Sequence, residues 1–251
     1  MDDWINERRR WIGPAAGLLV SLVIVTLPLI LLEFRNEPAT TLRLAVTGER
    51  ISGLFADGST RVLIMDSASR SDARSVTGRF SRPWEDEIDV IISPSSDFAT
   101  AGLIEAMDQH PDARVIVAGV PGADQNWLEI ERSVSDGDLT FVDTTASFAL
   151  EQSTVTVIGA GNSGSGVLIQ SMGAHVFHQF DEGQPPALLD ALVTSNSSPA
   201  STPVTFHSAS MGSPPRPTDG AAVALDRRQV VALHFERDAL RVEGGDVAFR
   251  D

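Results

Sequence analysis

The stretch Thr154-Val155-Thr156-Val157-Ile158-Gly159-Ala160-Gly161-Asn162-Ser163-Gly164-Ser165-Gly166 decides the fold, because two opposite architectures can be built on it. Its first five residues are all β-branched and read as a strand. Gly159-x-Gly161-x-x-Gly164 then matches the dinucleotide-binding fingerprint, in which glycines bring the backbone against a pyrophosphate at a helix N-terminus. Asp181 stands where the ribose-binding acid of that fingerprint falls, about 20 residues on. On this reading the chain is an oxidoreductase holding FAD or NAD(P) through Gly159, Gly161, Gly164 and Asp181. The segment that would have to be the helix, Ser165 to Met172, is only about two turns at roughly 3.6 residues per turn. It also contains Gly166, Ser171 and the β-branched Val167 and Ile169, all poor helix formers. Val167-Leu168-Ile169 and Val176-Phe177, on either side of Gly173, read instead as a hairpin, which makes the glycine segment a turn between strands.

Upstream, strands dominate. Leu42, Leu44 and Val46 alternate with polar residues, and Asp57-Gly58 turns the chain into the apolar strand Arg61-Val62-Leu63-Ile64-Met65, which stops at Asp66. The polar, arginine-containing stretch Ser67 to Pro83 reads as an exposed loop. Ile88 to Ile92 is a short buried strand broken by Pro94, Ala101 to Gln109 a helix ending before His110-Pro111, and Val115 to Ala118 a further buried strand. A short helix is expected over Asn126 to Ser133, then a turn at Asp136-Gly137-Asp138 and a strand at Leu139 to Val142. Strand, helix and strand in this order point to α/β layering.

Val62 to Asp66, Asp89 to Gly102, Val115 to Gly119, Trp127 to Phe141 and Asn162 to Asp181 together resemble the metallo-β-lactamase-like domain of bacterial DNA-uptake competence proteins. In that family an apolar strand ending in Asp is followed by a strand running into a Ser/Thr-His-x-Asp/His-x-Asp-His-x-Gly-Gly loop. The resemblance implies a four-layer αββα-type fold over most of Leu42 to Gly183. Ser93-Pro94-Ser95-Ser96-Asp97-Phe98-Ala99-Thr100-Ala101-Gly102 aligns with the loop, but the family's metal ligands fall at Pro94, Ser96, Phe98 and Ala99. None of these replaces an imidazole or carboxylate. Asp97 is one position from where the family acid belongs. Asn162 to Leu168 resembles the family's Asn-x-x-Ser-Leu-Val-Leu segment, and Asp66 and Asp181 match its remaining acids. Two carboxylates without histidines do not make a hydrolytic zinc centre, so the resemblance implies the fold and a lost metal site.

Before this body comes Ile12 to Leu32, an uncharged apolar run long enough as a helix to match the ~30 Å hydrocarbon core of a bilayer. A core helix would carry a polar stripe, and a cleaved signal would be shorter and end in small residues. The run therefore reads as one transmembrane helix. Arg8, Arg9 and Arg10 precede it and only Arg35 closely follows, which places the N-terminus in the cytoplasm and the body outside it.

The formal net charge is −15, an acidic balance that disfavours nucleic acid as a partner. There is no cysteine, which removes disulfides and thiolate metal sites. Lysine is also absent, which removes Schiff-base chemistry and the P-loop lysine. The five histidines are scattered; His175 and His178 share a face on a helix but lie on opposite faces of a strand. A hydrolase whose metal site is rebuilt from these histidines is the weakest of the readings.

The expected organisation is a cytoplasmic tail (1–11), a transmembrane helix (12–32), a linker (33–41), the metallo-β-lactamase-like α/β domain (42–193), a Ser/Pro-rich loop (194–220) and a terminal β-meander (221–251). Asp66, Ser93, Ser96, Asp97, Asn162 and Asp181 are the candidate binding residues, with no metal and no catalytic group. The expected function is a non-catalytic binding or assembly module, tethered to the membrane through Ile12 to Leu32 and meeting a protein partner at the cell surface. The dinucleotide-binding oxidoreductase stands as the alternative.

Overall fold

The computed structural model describes residues 40–80, 87–122, 125–134, 138–159, 164–195, 204–208, 221–237 and 239–243. The expected membrane helix Ile12 to Leu32 lies outside these residues. No helix among the described residues is long and apolar enough to cross a membrane.

Two sheets pack face to face. The first is built from β1 (Thr40–Thr47), β2 (Arg50–Asp57), β3 (Thr60–Ile64), β4 (Val90–Pro94), β5 (Arg114–Ala118), β6 (Leu139–Val142), β14 (Val230–Glu236) and β15 (Ala239–Glu243), in the order β15-β14-β1-β2-β3-β4-β5-β6. Its β15 to β3 half is antiparallel and its β3 to β6 half parallel. The second holds β7 (Thr145–Ala149), β8 (Ser153–Ile158), β9 (Gly166–Ser171), β10 (Ala174–Gln179), β11 (Ala191–Thr194), β12 (Val204–Ser208) and β13 (Ala221–Leu225), in the order β13-β12-β11-β10-β9-β8-β7.

The parallel half of the first sheet needs crossovers, and three helices supply them on one face: α1 (Arg70–Phe80), α2 (Thr100–Gln109) and α3 (Gln125–Ser133). Leu63, Met65, Ile91, Val115 and Val117 face these helices and meet Ala73, Val76, Phe80, Leu103, Trp127 and Ile130. On the other face Leu42, Leu44, Phe55, Val62, Ile64 and Ile92 form the inter-sheet core with Val155, Val157, Val167, Ile169, Val176, Val193 and Phe206. The alternation of β8, buried at Val155 and Val157 and half-buried at Thr154, Thr156 and Ile158, is what one buried sheet face imposes.

This two-sheet α/β sandwich agrees with the layering expected from sequence, with four differences. Ser67 to Pro83 contains α1 rather than only loop: Ala73, Val76, Thr77 and Phe80 are buried at helical spacing, a stripe hidden by the arginines and serines between them. Val204–Ser208 is a buried strand inside the stretch expected to be a Ser/Pro-rich loop. Its Phe206 is fully buried, and neighbouring strands supply the apolar surface its own segment lacks. The terminal β-meander is not formed, because β13 joins the second sheet in parallel with β12 while β14 crosses back to β1. Lastly, among the described residues no helix covers the outer face of the second sheet, so the fourth layer of an αββα sandwich is not seen there; Phe177, Leu189 and Leu192 form a small apolar cluster instead.

The segment after Gly164 is β9, a strand, so the fingerprint's helix N-terminus does not exist and its glycines have no dipole to offer a pyrophosphate. Met172 and Gly173, both with positive φ (51° and 88°), make the two-residue turn that joins β9 to β10 with the twist a hairpin requires.

Candidate functional site

At one end of the sandwich the segments that follow β3, β4 and β10, with Asp66, Phe98 and Phe180, come together around Arg50 at the mouth between the sheets. Asp66 follows β3. Its backbone is clamped from two strands: Thr47 Oγ1 donates to its carbonyl at 2.8 Å, and its own N–H donates to Ser52 Oγ at 3.1 Å. Asp66 is 1% exposed, and among the described residues its Oδ2 accepts no hydrogen bond.

Arg50, at the start of β2, supplies the charge that faces it. Nη1 lies 3.7 Å from Asp66 Oδ2 and donates to the Phe180 carbonyl at 2.8 Å, and Cζ sits 5.2 Å above the Phe98 ring. The guanidinium thus ties the first sheet to the end of β10 in the second. Burial pushes the Asp66 carboxyl up to about 7; Arg50 opposes that rise, and Asp181 adds to it by like-charge repulsion.

Asp181, just past β10, accepts a hydrogen bond from Ser165 Oγ, and Phe180 N–H donates to Ser165 O at 2.9 Å. Gly164, at φ 71°, brings this loop against the backbone of Asp181 and Glu182, where a Cβ would stand 3.0 Å from the Asp181 carbonyl oxygen. The glycine segment and Asp181 are therefore neighbours, through strand pairing rather than nucleotide binding. Gly159, just past β8, packs against the end of β6: its N–H donates to Thr144 O, and a side chain there would run into the Val142 carbonyl. Gly161 and Asn162 lie outside the described residues.

Among the described residues Ser93, Ser96 and Asp97 make their hydrogen bonds to groups other than Asp66. Ser93 is fully buried and shares the helix-facing side of β4 with Ile91. Ser96 precedes the short 3-10 turn Asp97–Ala99, and its carbonyl accepts from Ala99 N–H without any side-chain cap. The Asp97 carboxylate accepts from Trp127 Nε1 at 3.2 Å, which fastens the loop to α3. Phe98 (48% exposed) and Val120 (68% exposed) are left as apolar surface in the loops that leave β4 and β5.

The sequence reading singled out His178 but not Arg50. Nothing local marks Arg50 in Gly48-Glu49-Arg50; only the β2–β3 register carries its side chain to Asp66. His178 faces inward on β10, with burial pushing it down to about 4, whereas His175 faces out beside Asp190, 3.7 Å away. The two histidines cannot share a ligand. Among the described residues no three His, Cys, Asp or Glu side chains are grouped to hold a metal ion. The donor set at the mouth does not fit a hydrolytic metal centre, because its one buried carboxylate already faces a fixed guanidinium.

No protein-family profile matches the chain, and no curated protein matches it. Solved structures similar to it include a chemotaxis sensor ODP with a peroxy diiron species, at 16% identity and a TM-score of 0.38 over 57% of this chain. A zinc-bound PqqB from Methylobacterium extorquens is similar at 12% identity and a TM-score of 0.39, again over 57% of this chain. The chain spans 60% and 55% of the length of those two structures. Likeness this distant says nothing about chemistry, and the two-sheet architecture rests on its own strand order.

Proposed function

We propose that this chain is a single-span membrane protein whose extracytoplasmic body is a metallo-β-lactamase-like sandwich acting as a non-catalytic binding or assembly module. The observation that supports this is Arg50. A hydrolytic centre needs an open coordination position at the strand ends, where a bound water is acidified. Here the buried acid at the strand end faces a guanidinium that is itself held by the Phe180 carbonyl and the Phe98 ring. An internal cation facing it makes Asp66 part of the scaffold and leaves the surrounding loops, with Phe98 and Val120 exposed, as the contact surface. The uncharged run Ile12 to Leu32 supports the anchor.

The test is metal analysis of the full chain, purified in detergent after incubation with zinc and removal of the excess. The expected result is far less than one zinc per chain. Stoichiometric zinc that is lost in Asp66→Ala would overturn the reading. Membrane fractionation tests the anchor: the full chain should stay with the membrane through alkaline carbonate washing, and deletion of residues 12–32 should release it.

A further inference from the structure

Arg50 spans the mouth. It starts from β2 in the first sheet, donates to the carbonyl of Phe180 at the end of the second, and lies over Phe98 in the loop after β4. Its side chain is 28% exposed, whereas that of Asp66 is 2% exposed. The pair is therefore asymmetric: the acid is locked in by Thr47 and Ser52, and the base has a path to water. Whichever way the contact breaks, Arg50 is the partner that moves.

We propose that Arg50 is a proton-released latch: with Asp66 ionised it holds the two sheets and the Phe98 loop together at the mouth, and with Asp66 protonated it swings out and frees both. This rests on the metal-free reading of the mouth, since a bound cation would displace the guanidinium.

The electrostatics of the surroundings are consistent with such a release. Asp66 is faced by Arg50 from β2, by Asp181 from beyond β10, and by the uncharged hydroxyls of Thr47 and Ser52 from β1 and β2. His178, inward on β10, is kept neutral by burial down to about pH 4 and adds no competing charge above that. Asp97, in the Phe98 loop, is engaged by Trp127. Burial raises Asp66 to about 7, so the acid changes charge in a range that an extracytoplasmic surface meets. Once Asp66 is neutral, the partly exposed guanidinium has lost the carboxylate facing it, and hydration outweighs what remains, the Phe180 carbonyl and the Phe98 ring.

The latch is tested by hydrogen–deuterium exchange on the full chain in detergent between pH 5.5 and 8.5, with rates corrected for intrinsic pH dependence. Peptides covering residues 94–100 and 177–183 should lose protection on acidification by at least about fivefold, the low end of coupling between linked sites, with a midpoint near pH 7. Asp66→Asn and Arg50→Gln should show the low-protection state at every pH. A flat wild-type profile overturns the latch, as does a step that survives in Asp66→Asn. If a variant fails to fold, the wild-type profile still decides. Stoichiometric zinc in the metal analysis would defeat the underlying reading, whereas absent zinc with a flat profile would defeat the latch alone.

Discussion

Asp66→Asn should make the protein less sensitive to alkaline pH, by an amount that follows from the burial of one carboxyl. Unfolded, Asp66 titrates at its ordinary 3.8; folded, it titrates at about 7. Between those values the folded chain keeps a proton that the unfolded chain has released, so stability falls as pH rises through the window. Each unit is worth about 1.36 kcal/mol. Roughly two units of the window lie above pH 5, so from pH 5 to pH 8 this group removes about 2.5 kcal/mol. Asparagine keeps the shape of the side chain and removes the charge. Urea denaturation of the full chain in detergent, followed by circular dichroism at pH 5 and pH 8, measures the effect as a double difference that cancels the remaining titrating groups. The wild type should lose about 2.5 kcal/mol more than the variant over that interval. A double difference below about 0.5 kcal/mol, the scatter expected of non-interacting sites, or one of opposite sign would refute the assignment of a buried, proton-holding carboxyl at position 66.

Other outcomes follow from the same geometry. Arg50→Gln removes a cation that opposes the rise of Asp66, so the pH at which Asp66 ionises should move above 7, read as a shift of the same stability profile. Gly159→Ala should cost more than about 2 kcal/mol, since the added methyl meets the Val142 carbonyl. Gly78→Ala, on exposed helix surface with nothing within 4 Å, should gain about 0.5–1 kcal/mol; chemical denaturation compares the two. Phe206→Ala should cost about 3–5 kcal/mol, because the ring is wholly buried in the inter-sheet core. A thermal-shift titration with FAD and NAD should show no rise, where binding at a hundredfold excess over the dissociation constant would add about 2.7 kcal/mol.

What could be read from sequence was local. The strands around Val62, Ile91, Val117 and Val155 are visible because short runs of β-branched and other apolar residues have few other uses in a chain of this size. The β9–β10 hairpin shows in the β-branched residues around Gly173. Ile12 to Leu32 carries the membrane reading wholly within itself. The glycine segment Gly159 to Gly166 was distinguishable from a nucleotide loop only because the residues of β9 that follow it are poor helix formers.

What the tertiary structure decided was every relation between distant residues. Strand pairing is set by which faces bury together, so β13 and β14, five residues apart in sequence, end in different sheets. A polar segment such as Val204–Ser208 becomes a strand because neighbours 10 to 20 residues away on either side complete its hydrogen bonds and cover Phe206. The α1 stripe is four residues wide and becomes a helix face only against the first sheet. The candidate site depends most on such relations. Arg50 and Asp66 are separated by two strands and the turn between them, and Arg50 and Phe180 by 130 residues. Local propensity acts over a few residues, whereas a buried charge and its partner are joined only after the sheets have formed and excluded water between them.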